Sequence, residues 1–170
     1  EGNIKNLINN LEKILKKDDK IIIVDDASTD NTFEVVKQLN CKLIKHDKNS
    51  GKGSAIINGI KVAKGDNILF MDGDGQDDPS ELYKLTDKIE KGYDLVIGSR
   101  FVEDETKKIT RYTKTALSNI NWFGNKALTF LLNFLFKLNV KDTQSGYKCF
   151  KTASLKKLNL VSKRYEIESE

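Results

Sequence analysis

Ile21-Ile22-Ile23-Val24-Asp25-Asp26-Ala27-Ser28-Thr29-Asp30 is the stretch that decides the fold class. Four β-branched residues in a row, bounded by charged ones, suit a strand covered on both faces, as strands of parallel sheets are. Before it, Ile4, Leu7, Ile8, Leu11, Ile14 and Leu15 recur at helical spacing among Lys and Asn, which makes a one-faced helix. After it, Ser28, Thr29 and Asp30 offer N-caps for a helix carrying Phe33, Val36 and Leu39.

The pattern then repeats. Lys42 to Lys45 read as a weaker strand, and the turn-rich His46-Asp47-Lys48-Asn49-Ser50-Gly51-Lys52-Gly53 leads into a helix through Ala55, Ile56, Ile60 and Ala63, which Gly65 ends. Asn67 to Met71 give a third strand, and Pro79 opens a helix with Leu82, Leu85 and Ile89, at the first-turn position that proline tolerates. Leu95 to Ile97 form a fourth strand, Lys114 to Leu138 a long helix, and Tyr147 to Phe150 a final short strand. Strands alternating with helices predict right-handed βαβ units: an α/β domain with a mostly parallel sheet flanked by helices.

The 170 residues suffice for one such domain with a real core. The chain opens inside a helix with no strand before it and stops on Glu166-Ile167-Glu168-Ser169-Glu170, so it reads as a single domain over 1–170, incomplete at both ends. Its 29 basic and 25 acidic residues leave +4, too small and too mixed an excess to argue for nucleic acid. Cys41 and Cys149 have neither metal-ligand spacing nor the density of a disulfide scaffold, and as lone thiols fit a reducing compartment. No stretch reaches the roughly 20 apolar residues that span a bilayer, and no signal segment opens the chain.

In open parallel sheets ligands bind beyond the carboxyl ends of strands, so polar residues directly after apolar runs carry the functional expectation. The third run ends in Phe70-Met71-Asp72-Gly73-Asp74-Gly75-Gln76-Asp77-Asp78-Pro79. On an extended segment Asp72 and Asp74 point the same way, and Gln76 continues that side. Two hard carboxylates and an amide oxygen suit Mg²⁺ or Mn²⁺ that also bridges phosphates, while Gly73 and Gly75 let backbone approach a ligand. The competing reading is an acidic turn capping the helix at Pro79, for which Asp77 and Asp78 suffice. Asp25 and Asp26 either cap the following helix or accept from a base N–H or ribose hydroxyl. Asn49 to Gly53 are either a phosphate-facing loop or a plain turn, and not a Walker loop.

These two acidic strand ends, with Asn49-x-Gly51-Lys52-Gly53 between them and Gly98-Ser99-Arg100-Phe101 after them, resemble the family 2 glycosyltransferases of the GT-A fold. Asp142-Thr143-Gln144-Ser145-Gly146-Tyr147-Lys148 narrows the resemblance to the branch making dolichyl- or polyprenyl-phosphate sugars, the mannosyl- and glucosyltransferase-like enzymes. The resemblance implies that Asp26, with Asp25 beside it, contacts the nucleoside, and that Asp72, Asp74 and Gln76 hold a divalent metal and the donor diphosphate. It implies that Arg100 meets the acceptor phosphate, joined by Lys114 and Ser118, although Lys stands where the family usually has Arg and Arg111 competes for the role. The family's opening strand, ending Tyr-Asn-Glu, is absent before Glu1, which matches its last residue.

The implied reaction is inverting sugar transfer from a GDP-mannose- or UDP-glucose-type donor to dolichyl or polyprenyl phosphate, with Asp74 and Arg100 central, at the cytoplasmic face of a membrane. A phosphate acceptor is already anionic near neutral pH and needs no general base. That suits His46, the single histidine, which reads as a surface residue away from both acidic sites. A saccharide acceptor would need a carboxylate base, with Asp142 the first candidate. The apolar helix around Ala127 to Phe136 either lines a lipid path or membrane surface, or packs on the sheet. Two rivals remain: a catalytically silent family member, against which Asp72 and Asp74 argue, and a phosphoacceptor receiver module, which would need a late Lys-Pro where the only proline is Pro79.

Overall fold

The computed structural model describes residues 2–99 and 119–168, with side chains of the helix that begins at residue 119 described from residue 124 onward. In chain order the elements are helix α1 (Gly2–Glu12), strand β1 (Ile22–Asp25), α2 (Thr32–Lys37), β2 (Lys42–Lys45), α3 (Lys52–Val62), β3 (Asn67–Phe70), α4 (Leu82–Glu90), β4 (Leu95–Ile97), α5 (Asn119–Phe136), β5 (Lys148–Lys151) and α6 (Thr152–Leu155). Single 3₁₀ turns lie at Pro79–Glu81 and Tyr165–Glu168.

The fold is α/β with helices flanking the sheet, as the alternation predicts. The helices bury the faces that the periodicity marks: Leu7 and Ile8 on α1, and Leu82, Leu85 and Ile89 on α4. Asp78 accepts the Ser80 amide at 2.9 Å with Pro79 beside it, so the cap lies where the sequence puts it. Asp30 likewise accepts the Thr32 amide at 3.1 Å at the start of α2.

The described strands form a two-stranded and a three-stranded sheet, and their pairing adds something that the alternation does not predict. β1 and β2 are parallel, from Ile22 opposite Lys42 to Asp25 opposite Lys45. β5 runs antiparallel to both β3 and β4 and lies between them, with Phe70 and Ile97 each opposite Lys148. β3 and β4 therefore point the same way without touching as neighbours. The segment that leads into β5 enters at the edge where β3 and β4 end, which carries Asp142 to Tyr147 to the acidic strand end.

The core explains why β5 sits there. Tyr147 and Cys149 are fully buried and pack with Leu85 and Ile89 of α4, against Leu69, Met71 and Val96. Burial pushes the Cys149 thiol up to about 11, leaving it protonated and inert. Two side-chain clasps tie α5 to the loop before β5. Asn133 Nδ2 donates to the Val140 carbonyl at 2.8 Å while its Oδ1 accepts the Val140 amide at 3.1 Å, and Thr129 and Thr143 hydroxyls meet at 3.0 Å. Among the described residues no helix is long and apolar enough to cross a membrane.

Candidate functional site

A cleft of about 280 Å³ opens at that edge, lined among others by Lys52, Asp72, Asp74, Gln76, Gly146 and Glu168. The three residues expected to hold a metal thus share one cleft, but not by the expected route. Extended backbone ends at β3, and the chain turns at Gly73-Asp74 with Gly75 at φ +79°. The turn, rather than alternation along a strand, gathers the carboxylates. It is braced from two sides: Asp74 Oδ1 accepts the Gln76 amide at 3.0 Å, and Asn3 of α1 donates to the Asp74 carbonyl at 3.0 Å.

Opposite Asp72 stands Gly146, where a Cβ would fall 2.7 Å from Asp72 Oδ2 and 3.1 Å from Lys52 Nζ. Only glycine leaves that carboxylate its room. The loop carrying it is anchored to the end of β4, because Ser145 Oγ donates to the Gly98 carbonyl at 2.7 Å and the Gly98 amide donates to the Tyr147 carbonyl at 2.8 Å. Gly98 in turn must be glycine, since a Cβ there would meet the Tyr147 ring at 2.6 Å. Arg100, Arg111, Lys114 and Ser118 lie outside the described residues.

Lys52, the first residue of α3, reaches across the cleft. Its ammonium lies 2.8 Å from Asp72 Oδ1 and donates to Asp72 Oδ2 at 3.0 Å. It also lies 2.6 Å from Glu168 Oε1, an ion-pair contact without a directed hydrogen bond. Burial works to lower the Lys52 pKa, and the Asp72 and Glu168 carboxylates outweigh it, so the group is held above its ordinary value and stays charged. Glu168 is shared with Lys148, whose ammonium lies 3.0 Å from Oε2 and donates to the Glu168 carbonyl at 2.8 Å. The sequence assigned Glu168 no role. One signal was present: Gly51 and Gly53, flanking Lys52, lie against the backbone carbonyls of Lys163 and Ser162, too close for any Cβ.

The two carboxylates after β1 divide their work. Asp26 Oδ1 accepts the Ser50 amide at 2.8 Å and meets His46 Nδ1 at 2.6 Å, while Oδ2 accepts the Gly51 amide at 2.7 Å. Burial raises the Asp26 pKa, but the Ser50 amide, the His46 ring and the Gly51 amide together hold it below its ordinary value. Asp25 is 4% exposed. Its Oδ1 accepts the Ser28 amide at 2.9 Å, across a turn in which Ala27 takes φ +61°, and its Oδ2 has no hydrogen-bond partner among the described residues. Of the pair, Asp25 is the one with an acceptor left to offer.

Two expectations are corrected here. His46 is not a surface residue away from the acidic sites: its side chain is 10% exposed, wedged between Asp26 and Asn58, whose Nδ2 lies 2.8 Å from His46 Nε2. Asp142 is 1% exposed and does not line the cleft, so it is not presented to a substrate hydroxyl.

Comparison with known proteins gives the family and the fold. A UDP-N-acetylglucosamine–dolichyl-phosphate N-acetylglucosaminyltransferase of Methanococcus voltae is 36% identical over 193 residues, covering all of this chain (100%) and 73% of that protein. A dolichyl-phosphate β-glucosyltransferase of Saccharomyces cerevisiae is 32% identical over 161 residues, covering 82% of this chain and 46% of its own length. Among solved structures, the glucosyl-3-phosphoglycerate synthase of Mycobacterium tuberculosis superposes with a TM-score of 0.74 at 19% identity, over 99% of this chain and 58% of that one. That synthase has also been solved with Mn²⁺ and uridine diphosphate. The shared fold is that of the GT-A glycosyltransferases. Since the family model described as glycosyl transferase family 2 also matches residues 1–158, nearly the whole path from α1 through α6, the chain belongs to that family.

Proposed function

We propose that this chain carries the catalytic centre for inverting transfer of a hexosyl group from a nucleoside-diphosphate sugar to dolichyl or polyprenyl phosphate. The observation that carries it is the gathering of Asp72, Asp74 and Gln76 on one cleft with Lys52 beside them. The relatives whose names state dolichyl phosphate as acceptor support the acceptor class.

The residues fit a divalent cation. Asp72 already accepts a positive charge at both oxygens, from the Lys52 ammonium, and the donor set is hard oxygen throughout. Asp72, Asp74 and Gln76 would hold Mg²⁺ or Mn²⁺, with a diphosphate and water completing its shell. When bound, such an ion stabilises the negative charge that develops on the leaving diphosphate. Asp25, whose Oδ2 is buried without a hydrogen-bond partner among the described residues, would accept from an N–H of the nucleoside, and Lys52 would supply a second positive charge near the diphosphate.

The transfer itself forms one bond from a phosphate oxygen of the acceptor to the anomeric carbon and breaks the bond from that carbon to the donor diphosphate. Attack from the opposite face inverts the configuration. No base is consumed, because the nucleophile is already an anion, which suits a site where His46 is committed to Asp26 and Asn58 and Asp142 is buried. Arg100 would neutralise the acceptor phosphate together with Lys114 and Ser118. Phe130 and Phe134 are 73% and 74% exposed, with Leu131 and Leu135 on the adjoining stripe of α5, and this apolar face would rest on the cytoplasmic face of the membrane that carries the acceptor lipid.

The test is a panel of nucleotide sugars assayed with and without dolichyl phosphate, in Mn²⁺ or in chelator. Transfer from one donor, dependent on both lipid phosphate and cation and lost in Asp74→Ala, is expected. Transfer to a free saccharide in place of the lipid would overturn the acceptor assignment, and full activity in chelator would overturn the cation.

A further inference from the structure

Opposite charges follow one another through successive contacts, Asp72, Lys52, Glu168 and Lys148, the first three of them lining the cleft. Each cation lies between or beside carboxylates, with separations from 2.6 to 3.0 Å, and the four charges sum to zero as they stand. A plain structural salt bridge needs two members. Here Lys52 has two anionic partners on either side of its ammonium, and one of them is the carboxylate at the end of β3 that fits a divalent cation.

The backbone around Lys52 is fixed while its head is not. Gly51 and Gly53 are pinned against the carbonyls of Lys163 and Ser162, and the Ser54 amide donates to the Lys163 carbonyl at 3.1 Å, which clamps the first turn of α3 to the segment bearing Glu168. From that clamp a four-carbon stem carries the ammonium, so moving it off Asp72 towards Glu168 requires rotamer changes and no backbone motion. Glu168 Oε1 already lies 2.6 Å from the ammonium, so it can hold the group once Asp72 releases it.

Resting on the reading of Asp72 and Asp74 as cation ligands, we infer that Lys52 is a resident counter-ion of Asp72 which a divalent cation must displace, and that Glu168 receives it. A divalent cation and an ammonium cannot both sit against one carboxylate without repulsion. The cation alone therefore meets an Asp72 already neutralised by Lys52, with Asp74 as the remaining carboxylate. When a nucleoside diphosphate arrives with it, the added negative charge pairs with the displaced ammonium, and the two ligands bind as a set. Reciprocity then requires that nucleotide raise cation affinity by the factor by which cation raises nucleotide affinity.

The experiment is a titration of the chain with Mn²⁺, free Mn²⁺ being read from its paramagnetic resonance signal, alone and with uridine or guanosine diphosphate. Lys52→Met should bind Mn²⁺ without nucleotide about tenfold more tightly than wild type, a size within the usual range of coupling between sites, and lose most of the gain that nucleotide confers. Glu168→Gln should change affinity in the opposite direction, because Lys52 then keeps Asp72 as its one carboxylate. Lys52→Arg, which retains the charge, should stay as weak as wild type. A loosened fold would weaken binding in every variant and could not produce the tightening. Mn²⁺ affinity in Lys52→Met equal to or below wild type overturns the displacement, and if that variant does not fold, Glu168→Gln binding at or above wild type overturns it alone. If binding persists unchanged in Asp72→Asn, the cation assignment itself fails and takes this inference with it; if binding needs Asp72 but is not raised by Lys52→Met, only the inference fails.

Discussion

Asp26 accepts the Gly51 amide at 2.7 Å, so the end of β1 holds the start of α3 through one carboxylate. With the Ser50 amide and His46 on its other oxygen, Asp26 closes the whole His46–Gly51 loop. Asp26→Ala removes an acceptor from two amides and an imidazole at once. Chemical denaturation should show a loss of about 2 to 4 kcal/mol, the range for hydrogen bonds to a charged group when partners are left unsatisfied. Asp26→Asn, which keeps one accepting oxygen, should lose less. An unchanged midpoint in Asp26→Ala would show that the loop closes without it.

The same contacts predict a limb of acid sensitivity. The folded pKa of Asp26 lies below its ordinary value of 3.8, so between the two values the unfolded chain binds more protons than the folded one. The stabilisation is present above the ordinary value and is lost as pH falls through the depressed folded value. Comparing wild type with Asp26→Asn from about pH 6 to about pH 3, wild type should lose the greater share of its stability. Parallel curves would assign the acid limb to other carboxylates.

Gly146→Ala tests the close approach of β5's leading loop to Asp72. The added methyl would fall 2.7 Å from Asp72 Oδ2, so the carboxylate must rotate away from Lys52 and from the cleft. Far-ultraviolet circular dichroism should be unchanged, while Mn²⁺-dependent nucleotide affinity drops by about tenfold, the effect of displacing one ligand or its support. If affinity holds, Asp72 is not needed in its present rotamer.

Much of this site was legible, for an identifiable reason. Apolar runs of strand length that stop on carboxylates mark both the element and its carboxyl end, so Asp25, Asp26, Asp72 and Asp74 could be placed from local pattern alone. What was not legible depends on partners distant in sequence. β5 is only Lys148–Lys151, with a lysine at each end, and nothing local tells that it inserts between β3 and β4 in the opposite sense. Only that insertion brings Gly146 to Asp72. His46 carries no helical or strand pattern, and its burial comes from Asn58 on α3 and Asp26 just after β1 closing over it. Gly53, a glycine inside the first turn of a helix, was the one local hint that another backbone approaches there.

Asp25→Asn separates the two carboxylates after β1. The substitution keeps the size of the side chain and the oxygen that accepts the Ser28 amide, but it removes the charge and replaces one oxygen with a donor. Asp25 is 4% exposed and its Oδ2 has no protein partner among the described residues, which is costly unless a ligand supplies one. If that ligand is a nucleoside N–H, an amide nitrogen in place of Oδ2 faces donor with donor. Calorimetry should then show nucleoside diphosphate affinity reduced by about ten- to a hundredfold, the usual cost of a mismatched buried hydrogen bond. Stability without ligand should rise or stay level, since a buried charge is removed and the Ser28 contact is kept. Asp26→Asn should give the reverse pattern, with stability lowered and nucleotide affinity affected only as far as the loop loosens. Equal nucleotide affinity in wild type and Asp25→Asn would show that the orphaned oxygen serves the apoprotein alone, and the nucleoside contact would then have to be sought on Asp26.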